Sequence, residues 1–211
     1  MILHEEILQG AQPEALRMMA RSVTEQGFYL AGGTALALQL GHRRSVDFDW
    51  FTDGFLHDPI LLAQQLRDEH VPFETSSTER GTLHGAIAGV RVTFLEYRYP
   101  LLQPPIFSAE LGCRLAGLED IACMKLSALA QRGSRKDFID IYALFRTGLT
   151  LGSTLNEYRR KYAVKDIAHV LYGLAYFDDA EREEPPYMVW DLDWKEVKKT
   201  IQKRISEFSE K

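Results

Sequence analysis

The stretch "GGTALALQLGHRRSVDFDWF", Gly32 to Phe51, determines how this chain of 211 residues is interpreted. It joins a double glycine to two aspartates, Asp47 and Asp49, that are separated by a single residue. The preceding "FYLA" predicts a short buried strand, the glycine pair breaks that strand, and "TALALQL" predicts a helix that begins directly afterwards. "VDFDWF" is alternating and aromatic, which is typical of a strand. The stretch therefore predicts strand, turn, helix and strand in succession.

The two aspartates suggest a metal site. Residues two apart in a strand project from the same face, so Asp47 and Asp49 project together from backbone anchors roughly 6 to 7 Å apart, while Phe48 and Trp50 face the core. Paired carboxylates can hold the divalent ions of phosphoryl transfer, which lie about 3.5 to 4 Å apart in two-metal sites. Mg²⁺ prefers oxygen ligands and keeps several waters, so two or three acids suffice.

The glycines supply the complementary half of such a site. Gly32 and Gly33 would let backbone amides approach a triphosphate at the N-terminus of a helix, and the Thr34 hydroxyl would be a further donor. A glycine pair alone is commonly a turn, and two alternating aspartates alone occur by chance at strand ends. Their combination on strand, turn, helix and strand is more specific. We also assign Arg43 and Ser45 to nucleotide binding, with an RNA phosphate or a solvated basic corner as the alternatives for the arginine.

The rest of the chain suggests two regions. Periodic apolar residues after Pro13 predict a helix that ends at Gly27, and Asp58 followed by Pro59 predicts the start of another. Sequential antiparallel strands are expected from Pro72 to Tyr97, and the second half is mostly helical. We therefore expect an α/β-type core over 1–105 and a helical C-terminal region over 106–211 packed on it.

Bulk properties exclude several classes of protein. A net charge of −5 argues against a protein that coats nucleic acid non-specifically. The two cysteines form no disulfide or zinc pattern, and no secretory signal or membrane span is evident, so we expect a cytoplasmic protein with no membrane association.

Lys125 is unusual because it shares a helical face with apolar residues. An unpaired buried ammonium is costly, so this lysine either reaches solvent or meets an anion. A triphosphate is one candidate anion, and Asp137 or Asp140 is the structural alternative. Ser134 and Asp137 also resemble a capping box at the start of the next helix.

The segments "GGTALAL", "HRRSVDFDWF" and "MKLSALAQRGSRKDFIDIYAL" together resemble the AbiEii/AbiGii-type nucleotidyltransferase toxins. The resemblance implies an α+β fold of the DNA polymerase β-like nucleotidyltransferase type, with a mixed sheet flanked by helices and a mainly helical C-terminal half. It implies a Mg²⁺-dependent (or Mn²⁺-dependent) enzyme that moves an NMP from an NTP to an acceptor, with tRNA as one acceptor and an antitoxin protein as partner.

By position, the resemblance assigns Gly33 and Thr34 to the triphosphate, Asp47 and Asp49 to the metals, and Lys125 to the phosphates. Asp137 falls on a further acidic motif of the family, and we include it with Asp47, Asp49 and Lys125 among the catalytic residues.

The sequence departs from the superfamily at the third carboxylate, which is usually on a later strand. The strand "VRVTFLEY" has Thr93 where an acid is expected, and Glu96 lies on the opposite face. The third ligand and the general base are therefore open, and a nucleotide-binding or partner-binding module without turnover is the alternative function.

Overall fold

The computed structural model describes residues 2–56 and 58–210. The chain forms two compact units. The first contains the residues up to Gln39 together with Ser45–Gly117, and the second contains Leu40–Arg44 together with the residues from Leu118 onward. The chain thus enters the second unit briefly between the glycine turn and the acidic pair.

The first unit is built on a mixed seven-stranded sheet. In chain order its strands are β1 (Tyr29–Ala31), β2 (Phe48–Thr52), β3 (Phe73–Glu79), β4 (Thr82–Ile87), β5 (Val90–Glu96), β6 (Ile106–Ser108) and β7 (Cys113–Leu115). Their spatial order is β3-β4-β5-β2-β1-β7-β6. β2 is antiparallel to β1 and parallel to β5, and β1 is parallel to β7.

The first three strand predictions after Pro72 are confirmed, since β3, β4 and β5 form consecutive antiparallel pairs. β6 and β7 were not predicted. They follow the proline-rich segment, beyond the boundary expected after Pro105, and belong to the first unit. Each is only three residues long, which leaves too few positions for a periodic pattern to be visible in the sequence.

Three helices accompany the sheet in the first unit, after a short 3₁₀ helix at Glu5–Ile7. They are α1 (Gln12–Glu25), α2 (Gly32–Leu40) and α3 (Pro59–Asp68). The predicted start of α3 is confirmed, because the Asp58 carboxylate accepts hydrogen bonds from the backbone N–H groups of Ile60 and Leu61. α2 follows β1 without a connecting residue, which places the glycine pair in its first turn.

The second unit is helical, as expected. Its helices are α4 (Leu118–Arg132), α5 (Arg135–Arg146), α6 (Leu151–Tyr162), α7 (Ala168–Ala175), α8 (Asp178–Arg182) and α9 (Trp194–Ser209). The predicted capping box is wrong: the Ser134 hydroxyl makes no cap hydrogen bond and instead donates to Glu183 at 2.8 Å. Among the described residues, no helix is long and apolar enough to cross a membrane. The mixed sheet with its helices confirms the predicted α+β class.

Candidate active site

Gly32 lies beside Asp49 in the first unit. Ala31 of β1 pairs with Asp49 of β2, so the turn that follows β1 lies beside this carboxylate. Gly32 has a φ of +68°, and a Cβ atom added to it would lie 2.8 Å from Oδ2 of Asp49. Only glycine satisfies both constraints, since other residues disfavour this backbone region and a side chain would displace the carboxylate. The glycine turn and the acidic pair are therefore one structural feature.

A second link joins the same two motifs. The Thr34 hydroxyl donates a hydrogen bond to the backbone carbonyl of Asp47, just before β2 begins. Thr34 is buried, and a hydroxyl has a single hydrogen to donate. In this structure the proton of Thr34 therefore holds α2 to the start of β2. A role for this hydroxyl as a donor to triphosphate stays a prediction.

Asp47 and Asp49 are both partly exposed, as a ligand site requires. The Asp47 side chain is 31% exposed, and its Oδ2 lies 3.7 Å from Nη2 of Arg91 on β5. Ser45 is buried, and its backbone carbonyl accepts a hydrogen bond of 2.8 Å from the Gln12 side chain in α1. That bond anchors the segment leading into the acidic pair.

The strand register defines what lies next to Asp49. Asp49 pairs with Thr93 of β5, and Thr93 pairs with His84 of β4. Paired residues in neighbouring strands project from the same face, so Asp49, Thr93 and His84 form a polar row across three strands. All three are partly exposed, whereas Phe48 and Trp50 on the other face are fully buried. The prediction that these aromatic residues lie in the core is confirmed.

The neighbouring strand therefore presents a threonine, and no acid, beside Asp49. The Glu96 carboxylate has other partners: it accepts a hydrogen bond from the backbone N–H of Leu56 and forms an ion pair with Arg98. Sequence reasoning overlooked His84. The alternation in "TLHGAI" was a usable signal, but only the register shows that this histidine belongs to the same row as Asp49.

The donor set fits a hard divalent cation that shares its coordination with substrate. In the described part of the chain, no three His, Cys, Asp or Glu side chains are grouped so that they could hold a metal ion. Mg²⁺ is commonly bound through one or two carboxylates, with waters and substrate phosphates completing its shell. Asp47 and Asp49 meet that requirement, and both would present oxygen.

The second unit contains a buried ionic cluster centred on Asp140 of α5. Arg43 donates to both oxygens of this carboxylate, from Nε at 2.7 Å and from Nη2 at 2.8 Å. His42 Nε2 lies 2.7 Å from Oδ1, and Lys125 Nζ lies 2.6 Å from Oδ2. The structural alternative for the anion beside Lys125 is therefore realised. Nucleotide binding by Arg43, whose guanidinium is buried against Asp140, stays a prediction.

Lys125 also contacts Asp137. Its Nζ lies 3.0 Å from Oδ1 of Asp137, whose other oxygen accepts from Nε of Arg132 at 2.7 Å. An ammonium has three N–H donors, and the two carboxylates occupy two of them. Burial would raise the pKa of Asp137, but the charges of Lys125 and Arg132 outweigh burial and hold that pKa below its usual value. Asp137 is therefore an anion at neutral pH.

Electrostatics also determine the state of Asp140 and His42. Burial opposes ionisation of Asp140, but Arg43 and Lys125 hold its pKa well below the usual range. Burial lowers the pKa of His42 even though Asp140 opposes that shift. His42 is therefore neutral at pH 7 and donates its Nε2 proton to Asp140. Its Nδ1 has no hydrogen-bond partner among the residues that the structure describes.

A separate buried ion pair joins α4 to α6. Lys161 Nζ lies 2.6 Å from Oδ1 of Asp120, and both side chains are fully buried. Sequence reasoning did not single out this pair, because 41 residues separate its members. Its position between two helices of the second unit indicates a structural role.

Comparisons with known proteins identify the family of this chain. The family model described as "Nucleotidyl transferase AbiEii toxin, Type IV TA system" matches residues 14–100 and 85–208. The uncharacterised protein aq_aa25 of Aquifex aeolicus is 38% identical over 205 residues, which cover 96% of this chain and 98% of that protein.

Two solved structures share the fold. One is MenT4, a nucleotidyltransferase toxin of Mycobacterium tuberculosis, with a TM-score of 0.55 at 15% identity, covering 94% of this chain and 82% of that chain. The other is an H. pylori protein assigned as a nucleotidyltransferase, with a TM-score of 0.54 at 16% identity, covering 93% of this chain and 94% of that chain. The predicted polymerase β-like nucleotidyltransferase fold is confirmed, and this chain belongs to the AbiEii family of nucleotidyltransferase toxins.

Proposed function

We propose that this nucleotidyltransferase moves an NMP from a Mg²⁺-bound NTP to a hydroxyl group of an RNA acceptor, with tRNA as the acceptor class. The observation that carries the proposal is the close approach of Gly32 to Asp49, which places a turn of the phosphate-binding type next to the acidic pair. Family membership supports nucleotidyl transfer in general. The metal is our inference from the chemistry of the site, and the tRNA acceptor is what the resemblance to the toxin family implies.

The glycine turn and the acidic pair of the first unit each have a defined part in this proposal. The amides of Gly32 and Gly33 would meet the triphosphate, because the first amides of a helix have no partner within the helix and attract anions. Asp47 and Asp49 would hold Mg²⁺, or Mn²⁺, together with the phosphates. A divalent ion bound there would neutralise phosphate charge and favour ionisation of the attacking hydroxyl. Thr34 keeps the turn and the acidic pair in register through its bond to Asp47.

The second unit supplies two further candidates, Lys125 and Asp137. In our proposal the remaining N–H of Lys125 donates to a phosphate oxygen, while Asp137 and Asp140 hold the ammonium in place. Asp137 then acts by positioning Lys125.

The test is transfer of labelled NMP. Purified protein is incubated with Mg²⁺, bulk tRNA and each of the four α-labelled NTPs in turn, and label on tRNA is measured. We expect transfer by the wild-type protein, at least a 100-fold lower rate for Asp47→Asn and Asp49→Asn, and an unchanged rate for the exposed control Asp53→Asn. Full activity of both Asp47→Asn and Asp49→Asn would refute the role of the acidic pair. If no NTP labels tRNA, tRNA is refuted as the acceptor.

The polar row favours one alternative function, a module that binds nucleotide without turnover. Thr93 stands beside Asp49 where an acid would complete a three-carboxylate site. Calorimetric titration with Mg²⁺-ATP and Mg²⁺-CTP, combined with measurement of pyrophosphate release, distinguishes the two functions. Binding that depends on Asp49 without any release of pyrophosphate supports the module, whereas catalytic release supports the transferase.

The proposed partner of this toxin is an antitoxin protein. Expression of the wild-type chain alone is expected to arrest growth of a bacterial host, and the Asp49→Asn variant is expected not to. Equal growth arrest by the wild-type chain and by Asp49→Asn would show that toxicity does not come from this site.

A further inference from the structure

We propose that His84 on β4 is the general base that takes the proton of the attacking acceptor hydroxyl. The strand beside Asp49 has no carboxylate for this role. This inference rests on the proposed transfer reaction and identifies the residue that deprotonates its acceptor. No sequence motif indicates it, and it follows from the sheet register.

The first step of the argument is position. His84 pairs with Thr93, and Thr93 pairs with Asp49, so two strand spacings separate His84 from the proposed metal ligand. Neighbouring strands are 4.7–4.9 Å apart, which gives about 10 Å between the backbones of His84 and Asp49. That gap is wide enough for a hydroxyl-bearing ligand between the two side chains. Thr93 is the residue between them, and its side chain is shorter than that of an acid.

The second step is availability. His84 is partly exposed, and its ring has no hydrogen-bond or ion-pair partner among residues 2–56 and 58–210. The other histidine discussed above, His42, is fully buried against Asp140 and cannot reach a substrate. A neutral imidazole can accept a proton at neutral pH, which is the reason that histidine is the commonest general base.

The third step is the surroundings. On the same face, Ser77 of β3 pairs with His84, so the row continues with a second hydroxyl group. The charged residues that share this face on the adjacent strands are Glu74 and Glu79 on β3 and Arg91 on β5. Arg91 is 73% exposed beside Asp47, where it can meet the phosphate backbone of an RNA acceptor.

The chemistry balances without a further reactant. The acceptor O–H bond breaks as its proton passes to a ring nitrogen of His84, and the oxygen bonds to the α-phosphorus of the NTP. The bond from the α-phosphorus to the oxygen bridging to the β-phosphate breaks, and pyrophosphate leaves with that electron pair. His84 then returns its proton to solvent.

The experiment compares His84→Gln and His84→Asn with the control His70→Gln, which replaces an exposed histidine after α3. Transfer from α-labelled NTP to bulk tRNA is measured between pH 5 and 9, with thermal unfolding as a check of folding. We expect both His84 variants to fold, to keep the KM for NTP, and to lose about 10²- to 10⁴-fold in kcat. We also expect the wild-type rate to decline at acid pH and this decline to be absent from both His84 variants.

The outcomes separate the two proposals. A wild-type rate and pH profile in His84→Gln, while Asp49→Asn is inactive, would overturn the role of His84 and leave the transferase standing. A lower rate with the acid limb retained would also overturn it, because a structural effect lowers the rate without changing the titration. Absence of both tRNA labelling and pyrophosphate release by the wild-type protein would overturn the transferase and the role of His84 with it.

Discussion

Replacing Gly32 by alanine should separate the positioning of Asp49 from the stability of the fold. Gly32 has a φ of +68°, and an L residue in this left-handed region costs about 1–2 kcal/mol. The added Cβ would also lie 2.8 Å from Oδ2 of Asp49, closer than real Cβ contacts, so the carboxylate must move. A misplacement of about 1 Å at a reacting centre can lower a rate about 100-fold.

Gly10→Ala is the matched control. Gly10 has a φ of +56°, and a Cβ atom added there would have no neighbour within 4 Å. Both variants should therefore lose about 1–2 kcal/mol in the free energy of unfolding, measured by urea denaturation. Only Gly32→Ala should lose about 100-fold in NMP transfer and bind Mn²⁺ more weakly. If Gly32→Ala keeps the wild-type rate and Mn²⁺ affinity while its stability falls like that of Gly10→Ala, the contact does not position Asp49 for catalysis.

Further predictions concern the buried charges of the second unit. Asp140→Ala should lower the free energy of unfolding by about 3–5 kcal/mol in urea, because it leaves buried cations uncompensated, and a loss below 1 kcal/mol would contradict that reading. His42 has a lowered pKa in the folded state, so the unfolded chain binds more protons and stability should fall as the pH drops below about 6.5. His42→Gln should lessen that fall between pH 7 and 5, and an unchanged pH dependence of the urea midpoint would count against a neutral buried histidine. Lys161→Met should cost about 3–5 kcal/mol, most of it restored by adding Asp120→Leu, and the absence of such restoration would show that the pair does more than satisfy its own charges.

The local sequence was sufficient for features that depend on near neighbours. The N-cap at Asp58, the helix that begins at the glycine pair, and the opposed faces of "VDFDWF" all follow from residues within one or two turns of each other. Such patterns are visible because local hydrogen bonding and side-chain periodicity determine them. The resemblance of three segments to a toxin family was likewise present in the chain alone, and the family comparison confirms it.

The tertiary structure decided everything that depends on register or on distant partners. Sequence left two candidate anions for Lys125, and folding brings both Asp137 and Asp140 to it. The sequence indicated a basic corner or a nucleotide contact for the segment containing Arg43, and folding buries the guanidinium of Arg43 against Asp140, 97 residues away.

The acidic pair shows the same division. The sequence by itself showed that Asp47 and Asp49 follow a glycine turn, and strand alternation predicted that they share a face. Only the pairing of strands shows that Asp49 leaves no room for a Cβ at Gly32 and that Thr93 and then His84 are its neighbours in the sheet. The physical reason is that hydrogen bonds between strands select partners far apart in the chain, and no local pattern encodes which residues they align.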